Sequence, residues 1–230
     1  QLLNTLMILH VHQPISGNKI ASLSCSGGEA SLIADLAEQF NFRFPKLSSK
    51  QKRKLKSALG DLVHLSNPLD YQTYVWNDQV KLTLAFKTMM EETYDFLFII
   101  MDLPKQGRCS SVSWHPAIAA LKEAKKTAKC PIGLITSLEE NMPEKFAKDL
   151  IKHSIIPLTG LENSLAAVKA LQNVSIQWKI KSTPSIIWER WPNEKSRVRD
   201  EYQSKKVLSN IGINVPEGFI ITNKNSLLNK

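Results

Sequence analysis

The sequence Ile20-Ala-Ser-Leu-Ser-Cys-Ser-Gly-Gly-Glu-Ala-Ser-Leu-Ile-Ala-Asp-Leu-Ala-Glu38 changes its hydrophobic period at its centre. It opens with a short run of β-forming residues, Ile20 to Leu23, and breaks at Ser26-Gly27-Gly28. Beyond the break, apolar residues recur at three- and four-residue spacing, as on one face of a helix. The stretch therefore predicts a strand, a tight glycine turn, and a helix that begins at Ser26 and ends near Phe40.

The Gly-Gly turn has two interpretations. Backbone N–H groups at a helix start have no partner within the helix, and the helix dipole favours negative charge there, so the junction suits a phosphate or a carboxylate. Alternatively, the chain turns closely here and needs glycine for packing and for unusual backbone dihedrals. The residues match neither the GxGxxG pattern nor a P-loop, because no Gly-Lys-Ser/Thr follows.

The rest of the chain alternates between helical patterns and apolar strands. Phe96 to Met101 and Ile132 to Ile135 are apolar throughout, which indicates strands buried on both faces of a parallel sheet. Ile155-Ile156 indicates an edge strand. The sequence therefore predicts an α/β fold, a flavodoxin-like three-layer domain with a mainly parallel sheet over residues 18–175. Its central strands are expected at Ile20 to Leu23 and at the two apolar runs.

Segments of a different character flank this domain. Residues 1–17 are predicted to form an N-terminal helix and linker. Residues 176–198 carry tryptophan and proline without a clean period and are interpreted as a linker. Residues 199–230 are predicted to begin a second domain with a helix over about 199–211. We expect residues 176–230 to lie outside the core of the first domain.

Composition is ordinary for a soluble globular protein. Of the 230 residues, 43% are hydrophobic and 22% are charged, with a net charge of +9. The basic clusters at Lys50 to Lys56 and Lys122 to Lys129 are interpreted as solvated helix faces, so no nucleic-acid partner is expected. Neither a signal peptide nor an apolar run of about 18 residues is present, so no membrane partner is expected.

Cysteine usage and the chain ends add two further expectations. Cys25, Cys109 and Cys130 are odd in number and widely spaced, which fits neither a disulfide framework nor a metal site. A reducing cytoplasm is the expected location, and no metal ligands are predicted. The chain opens with Gln and ends in Asn-Ser-Leu-Leu-Asn-Lys, so we expect a fragment of a longer protein.

Asn67-Pro68-Leu69-Asp70 is a second motif, interpreted as a turn. Pro68 fixes its own φ and holds Asn67 in extended geometry. The side chains of Asn67 and Asp70 are expected to bond nearby backbone N–H groups. A long helix is predicted after this turn, with Asn77 as its N-cap.

Four features, in order, resemble the NDP-forming acyl-CoA synthetases, relatives of succinyl-CoA synthetase. They are Ser-Gly-Gly-Glu-Ala from Ser26, Asn-Pro-Leu-Asp from Asn67, Asp95 with its buried strand, and Lys-Lys-Val-Leu-Ser-Asn-Ile-Gly-Ile-Asn-Val-Pro, which ends at Pro216. In that family the first motif opens a helix of the third α/β domain and the last opens the ATP-grasp domain. Protein lysine acetyltransferases with an inactive synthetase module share these domains.

The resemblance implies part of an acid–CoA ligase, which converts acid, CoA and ATP into acyl-CoA, ADP and phosphate through a phosphohistidine. It implies that the turn at Ser24, Ser26, Gly27, Gly28 and Glu29 binds the phosphate and steadies the phosphohistidine loop. ATP/ADP, Mg and CoA are the implied cofactors of the full-length enzyme, and none is expected on the fragment alone.

The resemblance places the relay histidine outside this chain. His10 and His12 lie close to where the phosphohistidine loop would end, but they lack its pattern. Catalysis by this chain alone is therefore not expected. The implied partners are the CoA-binding and ATP-grasp domains of the same protein, and self-association into a homo-oligomer is left open.

Three other classes of module share an α/β fold of this kind. A receiver domain needs paired acidic residues after its first strand, and Ser24-Cys25-Ser26 supplies none. A dinucleotide-binding domain needs GxGxxG and an acidic residue after the second strand. A non-catalytic flavodoxin-like binding module is the remaining alternative, because Ser24 to Gly28 loosely offers a hydroxyl- and glycine-rich phosphate loop.

Overall fold

The computed structural model describes residues 1–105, 107–180 and 198–221. The strands are β1 (Ile20–Ser24), β2 (Leu69–Asp70), β3 (Phe96–Ile100), β4 (Ile132–Thr136) and β5 (Ile156–Thr159). The α-helices are α1 (Leu2–Val11), α2 (Gly27–Gln39), α3 (Ser49–Leu59), α4 (Gln79–Met90), α5 (His115–Lys125), α6 (Glu144–Lys152), α7 (Leu161–Lys179) and α8 (Glu201–Asn210). The linker predicted over 176–198 falls largely outside the described residues, as do residues 222–230.

The five strands form one parallel sheet in the order β2-β1-β3-β4-β5. Every residue of β1, β3 and β4 is buried, as continuous apolar runs in a parallel sheet require. The three predicted central strands are therefore confirmed, and so is the α/β class. The predicted edge strand exists but begins one residue later than expected, at Ile156.

Alternate residues of β3 enter two separate cores, one on each face of the sheet. Leu97 and Ile99 join the core beneath α3, α4 and α5, whereas Phe96, Phe98 and Ile100 join the core beneath α1, α2 and α7. This division follows from the two-residue period of a strand. It produces the three layers, helices–sheet–helices, that the sequence predicts.

The N-terminal helix packs on the sheet domain. Asn4 Nδ2 donates to Thr159 O at 2.8 Å, and Ile8 is fully buried in the core against α7. The first compact unit accordingly spans residues 1–182, and α7 continues to Lys179, beyond the predicted boundary at 175.

The second unit spans residues 183–230, of which 198–221 are described. Its helix α8 lies within the predicted range. Asp200 caps it by accepting a bond from Gln203 N at 2.7 Å, and Gly212 follows its end with a φ of +83°. Residues 213–221 form no regular element.

One predicted helix cap is wrong by one residue. Asp78, not Asn77, is the N-cap of α4, because its Oδ1 accepts a hydrogen bond from Lys81 N at 3.0 Å. The carboxylate is also the better partner for the positive end of the helix dipole. No helix in the described ranges is long and apolar enough to cross a membrane.

Candidate functional site

The predicted turn lies where the strand order of the sheet reverses. β1 is followed in sequence by β2 on one side and, later, by β3 on the other, so the carboxyl end of β1 is the switch point of the sheet. Ligands of open α/β sheets bind in the crevice outside the strands at such a point. The Gly-Gly turn leads from the carboxyl end of β1 into α2, so it occupies this crevice.

Helix α2 runs from Gly27 to Gln39, and the predicted ends, Ser26 and Phe40, are its N-cap and C-cap. Ser26 is the N-cap in extended geometry, and its side chain accepts no hydrogen bond from the first turn. Gly27 and Gly28 are exposed. Because the first N–H groups of a helix have no intrahelical partner, the start of α2 presents free donors to the crevice.

Limited space explains Gly27, and backbone dihedrals explain neither glycine. Neither has a positive φ, so the expectation of unusual dihedrals is wrong at this turn. A Cβ on Gly27 would lie 3.3 Å from Asp70 Oδ2, which is a tight contact. A Cβ on Gly28 would lie 3.6 Å from Ser26 Oγ, an ordinary van der Waals distance.

The side chain of Ser24 stabilises the turn through a hydrogen bond to its backbone. Its side chain is buried, and its hydroxyl donates to Ser26 O at 3.0 Å. This bond holds the carbonyl of Ser26, which also accepts from Ala30 N at 3.1 Å. The hydroxyl of Ser24 is therefore engaged with the chain itself, while Ser26 stays partly exposed.

Three carboxylates from three different elements surround the turn. Glu29 comes from the first turn of α2, Asp70 from the end of β2, and Asp102 from the loop after β3. Asp70 Oδ1 accepts from Gln72 N at 2.9 Å, and Asp102 Oδ1 accepts from Ser137 N at 2.7 Å. Glu29 Oε2, in contrast, is buried and has no hydrogen-bond partner among the described residues.

The surroundings favour the protonated form of Glu29. Burial, followed by the nearby charges of Asp102 and Asp70, together raise the pKa of the Glu29 carboxyl from 4.5 to about 7. Burial likewise raises the pKa of the Cys25 thiol to about 11, with a further contribution from Glu29. At neutral pH the Cys25 thiol is therefore neutral, and Glu29 is divided between its two forms.

Tyr71, which follows Asp70 in sequence, belongs to a cluster of aromatic side chains. The Tyr71 ring stacks on Trp76 with centroids 6.4 Å apart and meets Phe86 edge-on at 5.3 Å, and Trp76 meets Trp114 at 6.0 Å. Tyr71 is fully buried, and its hydroxyl has no hydrogen-bond partner among the described residues. Burial raises its pKa well above the ordinary value, and the charges of Cys25 and Glu29 add to this effect.

The Asn67 motif supports the same edge of the sheet. Asn67 Oδ1 accepts from Ser22 N at 3.2 Å, and its Nδ2 donates to Ile20 O at 3.1 Å. Asn67 therefore bonds to β1 and not within its own turn, contrary to the expectation. Pro68 follows through a cis peptide, and Asp70, as expected, bonds a nearby backbone N–H.

Asp102 and Tyr71 are site residues that the sequence reasoning missed. Asp102 directly follows the buried run ending at Met101, and a polar residue after a central strand is a signal that could have found it. Nothing in the sequence marks Tyr71, because its unpartnered hydroxyl depends on packing.

His10 and His12 are exposed near the end of α1. Among the described residues, no cluster could hold a metal ion.

A groove of about 880 Å³ is lined by residues of α5, of α6 and of the loop after β3. Lys122 of α5 pairs with Asp149 of α6, and Lys148 pairs with Glu144 within α6. None of the predicted site residues lines this groove.

A curated relative matches almost the whole chain. It is the ADP-forming acetate–CoA ligase of Methanocaldococcus jannaschii, which is 24% identical over 243 aligned positions that cover 99% of this chain. The chain is a homologue of this ligase. It spans 34% of the relative's length. No family model matches the chain.

Two solved structures share the fold of this chain. PH0766 from Pyrococcus horikoshii OT3 covers 78% of this chain and 40% of its own, with a TM-score of 0.62 and 21% identity. The dinucleotide-forming acetyl-coenzyme A synthetase 1 of Ca. Korarchaeum cryptofilum, solved with phosphate and ADP, covers 75% of this chain and 36% of its own, with a TM-score of 0.55 and 15% identity.

Proposed function

We propose that this chain is a domain of an NDP-forming acid–CoA ligase, an enzyme that converts acid, CoA and ATP into acyl-CoA, ADP and phosphate through a phosphohistidine. The observation that carries the proposal is the 24% identity to an ADP-forming acetate–CoA ligase over 99% of the chain. The order of its motifs, from the Gly-Gly turn to the segment ending at Pro216, supports the same assignment.

Within that enzyme, the start of α2 faces the phosphorylated loop of a neighbouring domain and steadies its phosphate. The free N–H donors of Gly27, Gly28 and Glu29 and the positive end of the helix dipole supply the attraction. Ser26 adds a partly exposed hydroxyl, and Ser24 holds the turn in place. The position of the turn at the switch point of the sheet supports this role.

The substrates and nucleotide are bound by other parts of the protein. ATP/ADP, Mg and CoA bind to the ATP-grasp and CoA-binding domains of the full-length ligase. Helix α8 is the start of the ATP-grasp domain. We place this enzyme in the cytoplasm, consistent with the free thiols of Cys25, Cys109 and Cys130.

The test is ADP formation by the full-length protein that carries this chain. We expect ATP alone to yield one equivalent of ADP per site together with an acid-labile, base-stable phosphoenzyme, and continued formation of ADP only when acid and CoA are also present. A lysine acetyltransferase with an inactive synthetase module would instead transfer acetyl groups to protein without forming ADP. A flavodoxin-like binding module would do neither, and either result would contradict the proposal.

A further inference from the structure

The start of α2 poses an electrostatic problem for any phosphate. Its N–H groups attract an anion, whereas the carboxylates of Glu29, Asp70 and Asp102 lie around the same point. Asp70 Oδ1 accepts a hydrogen bond from Gln72 N, and Asp102 Oδ1 accepts one from Ser137 N. Among the three, Glu29 has a buried oxygen, Oε2, without a hydrogen-bond partner among the described residues.

We propose that the crevice at the start of α2 binds a phosphate-like dianion only together with a proton on Glu29, whose carboxyl then donates a hydrogen bond to the anion. This inference rests on the proposed role of α2 in holding a phosphate, and it identifies Glu29 as the residue that makes this role depend on pH.

The surroundings of Glu29 determine which way the dependence runs. Asp70 on β2 and Asp102 after β3 face it with negative charge, and Cys25 and Tyr71 face it as neutral groups whose raised pKa values keep them protonated. None of the described ion pairs includes Glu29, so no described cation stabilises its ionised form. A further negative charge in the crevice therefore favours uptake of a proton by this carboxyl.

The arrangement leaves donors and not acceptors facing the anion. A protonated Glu29 offers one O–H group, and Gly27 and Gly28 offer N–H groups. An ionised Glu29 would instead offer a third negative charge beside those of Asp70 and Asp102. When Glu29 takes up one proton, its repulsion of the anion is therefore replaced by a hydrogen bond from Glu29 to the anion.

Sulfate is the appropriate probe, because its charge stays constant between pH 6 and 8.5 whereas phosphate itself titrates. Binding is measured from the amide shifts of Gly27 and Gly28 at constant ionic strength. With a Glu29 pKa of about 7, we expect the affinity to fall by about thirty-fold between pH 6 and pH 8.5. The carboxyl carbon of Glu29 should titrate at a higher pH when sulfate is bound.

Two variants test the residue assignment. Glu29→Gln keeps the neutral shape of the protonated acid, so its affinity for sulfate should stay the same across this pH range. Glu38→Gln, at the exposed far end of α2, should keep the dependence of the parent protein.

The outcomes separate this inference from the function on which it rests. Saturable binding that does not vary with pH, or a pH dependence that survives in Glu29→Gln, would overturn the coupling to a proton and leave the anion site standing. The absence of any saturable shift at Gly27 and Gly28 would overturn both the coupling and the proposed phosphate role.

Discussion

Asn67 extends the parallel ladder of the sheet with its side chain. Its Oδ1 accepts a bond from the backbone N–H of Ser22 at 3.2 Å. Its Nδ2 donates to Ile20 O at 3.1 Å and to Pro45 O at 3.2 Å. The amide thus satisfies backbone groups of β1 just ahead of β2, a strand of only two residues. The motif Asn-Pro-Leu-Asp therefore secures the strand that leads into the Gly-Gly turn.

Asn67→Ala should destabilise the sheet domain by about 2–4 kcal/mol, because Ser22 N and Ile20 O would lose their partner in a part-buried position. The measurement is the free energy of unfolding by urea. Asn163→Ala, an exposed position on α7, is the matched control and should change stability by less than about 0.5 kcal/mol. Equal effects in the two variants would show that the three hydrogen bonds contribute nothing measurable.

Gly133 in β4 has no room for a side chain. A Cβ there would lie 2.7 Å from Leu158 Cδ1 and 2.8 Å from Phe96 Cε1, both in the core beneath α7. Gly133→Ala should therefore cost about 1–3 kcal/mol through overpacking. Thermal unfolding measures the effect, and Gly218→Ala, with nothing within 4 Å of its Cβ, serves as the control. An unchanged melting temperature for Gly133→Ala would refute this account of the glycine.

The layered fold was predictable because it depends on periods that the sequence displays. The apolar run at Phe96 to Met101 has room only in a sheet covered on both faces, and the period change after Ser26 fixes the junction between β1 and α2. The role of Asn67 was not predictable, because its partners lie over 20 residues away in sequence. A local turn was therefore the simplest expectation.

The candidate site was only partly predictable for a similar reason. Ser26, Gly27 and Gly28 are contiguous, so the helix start is visible in the sequence. The meeting of Glu29 with Asp102 depends on β1 and β3 being neighbours, which follows only from the strand order. The raised pKa of Glu29 arises from that meeting and from burial, neither of which a local motif encodes.

Glu29 should also make stability depend on pH. The pKa of its carboxyl is 4.5 in an ordinary setting and about 7 in the folded protein. Between these values the folded state holds a proton that the unfolded state has lost, so stability falls as pH rises from 4.5 to 7 and is level above that. Because the side chain is only half-buried, solvent screening reduces the effect to on the order of 1 kcal/mol.

Glu29→Gln removes this titration. Relative to the parent protein, the variant should gain stability at pH 8 but not at pH 4.5. Chemical denaturation at the two values measures the difference, with Glu38→Gln as the control on the same helix. A gain that is the same at both values would mean that Glu29 keeps its ordinary pKa in the folded protein.

Gly28 offers the most direct access to the start of α2 without disturbing the fold. A Cβ there would have an ordinary contact with Ser26 Oγ, whereas one on Gly27 would press against Asp70. Gly28→Val should therefore fold normally while its side chain blocks the approach of a phosphorylated loop. Lys50→Val is the matched control, because Lys50 is the exposed second residue of α3, as Gly28 is of α2.

The decisive measurement is the yield of phosphoenzyme from labelled ATP in the full-length ligase carrying Gly28→Val, compared with the parent and with Lys50→Val. Losing one charge-assisted hydrogen bond costs about 1.5–3 kcal/mol, so the account predicts a reduction of roughly ten- to a hundred-fold in Gly28→Val and no change in Lys50→Val. Equal yields from folded Gly28→Val and parent would contradict the phosphate role of α2 and leave the turn a packing feature alone.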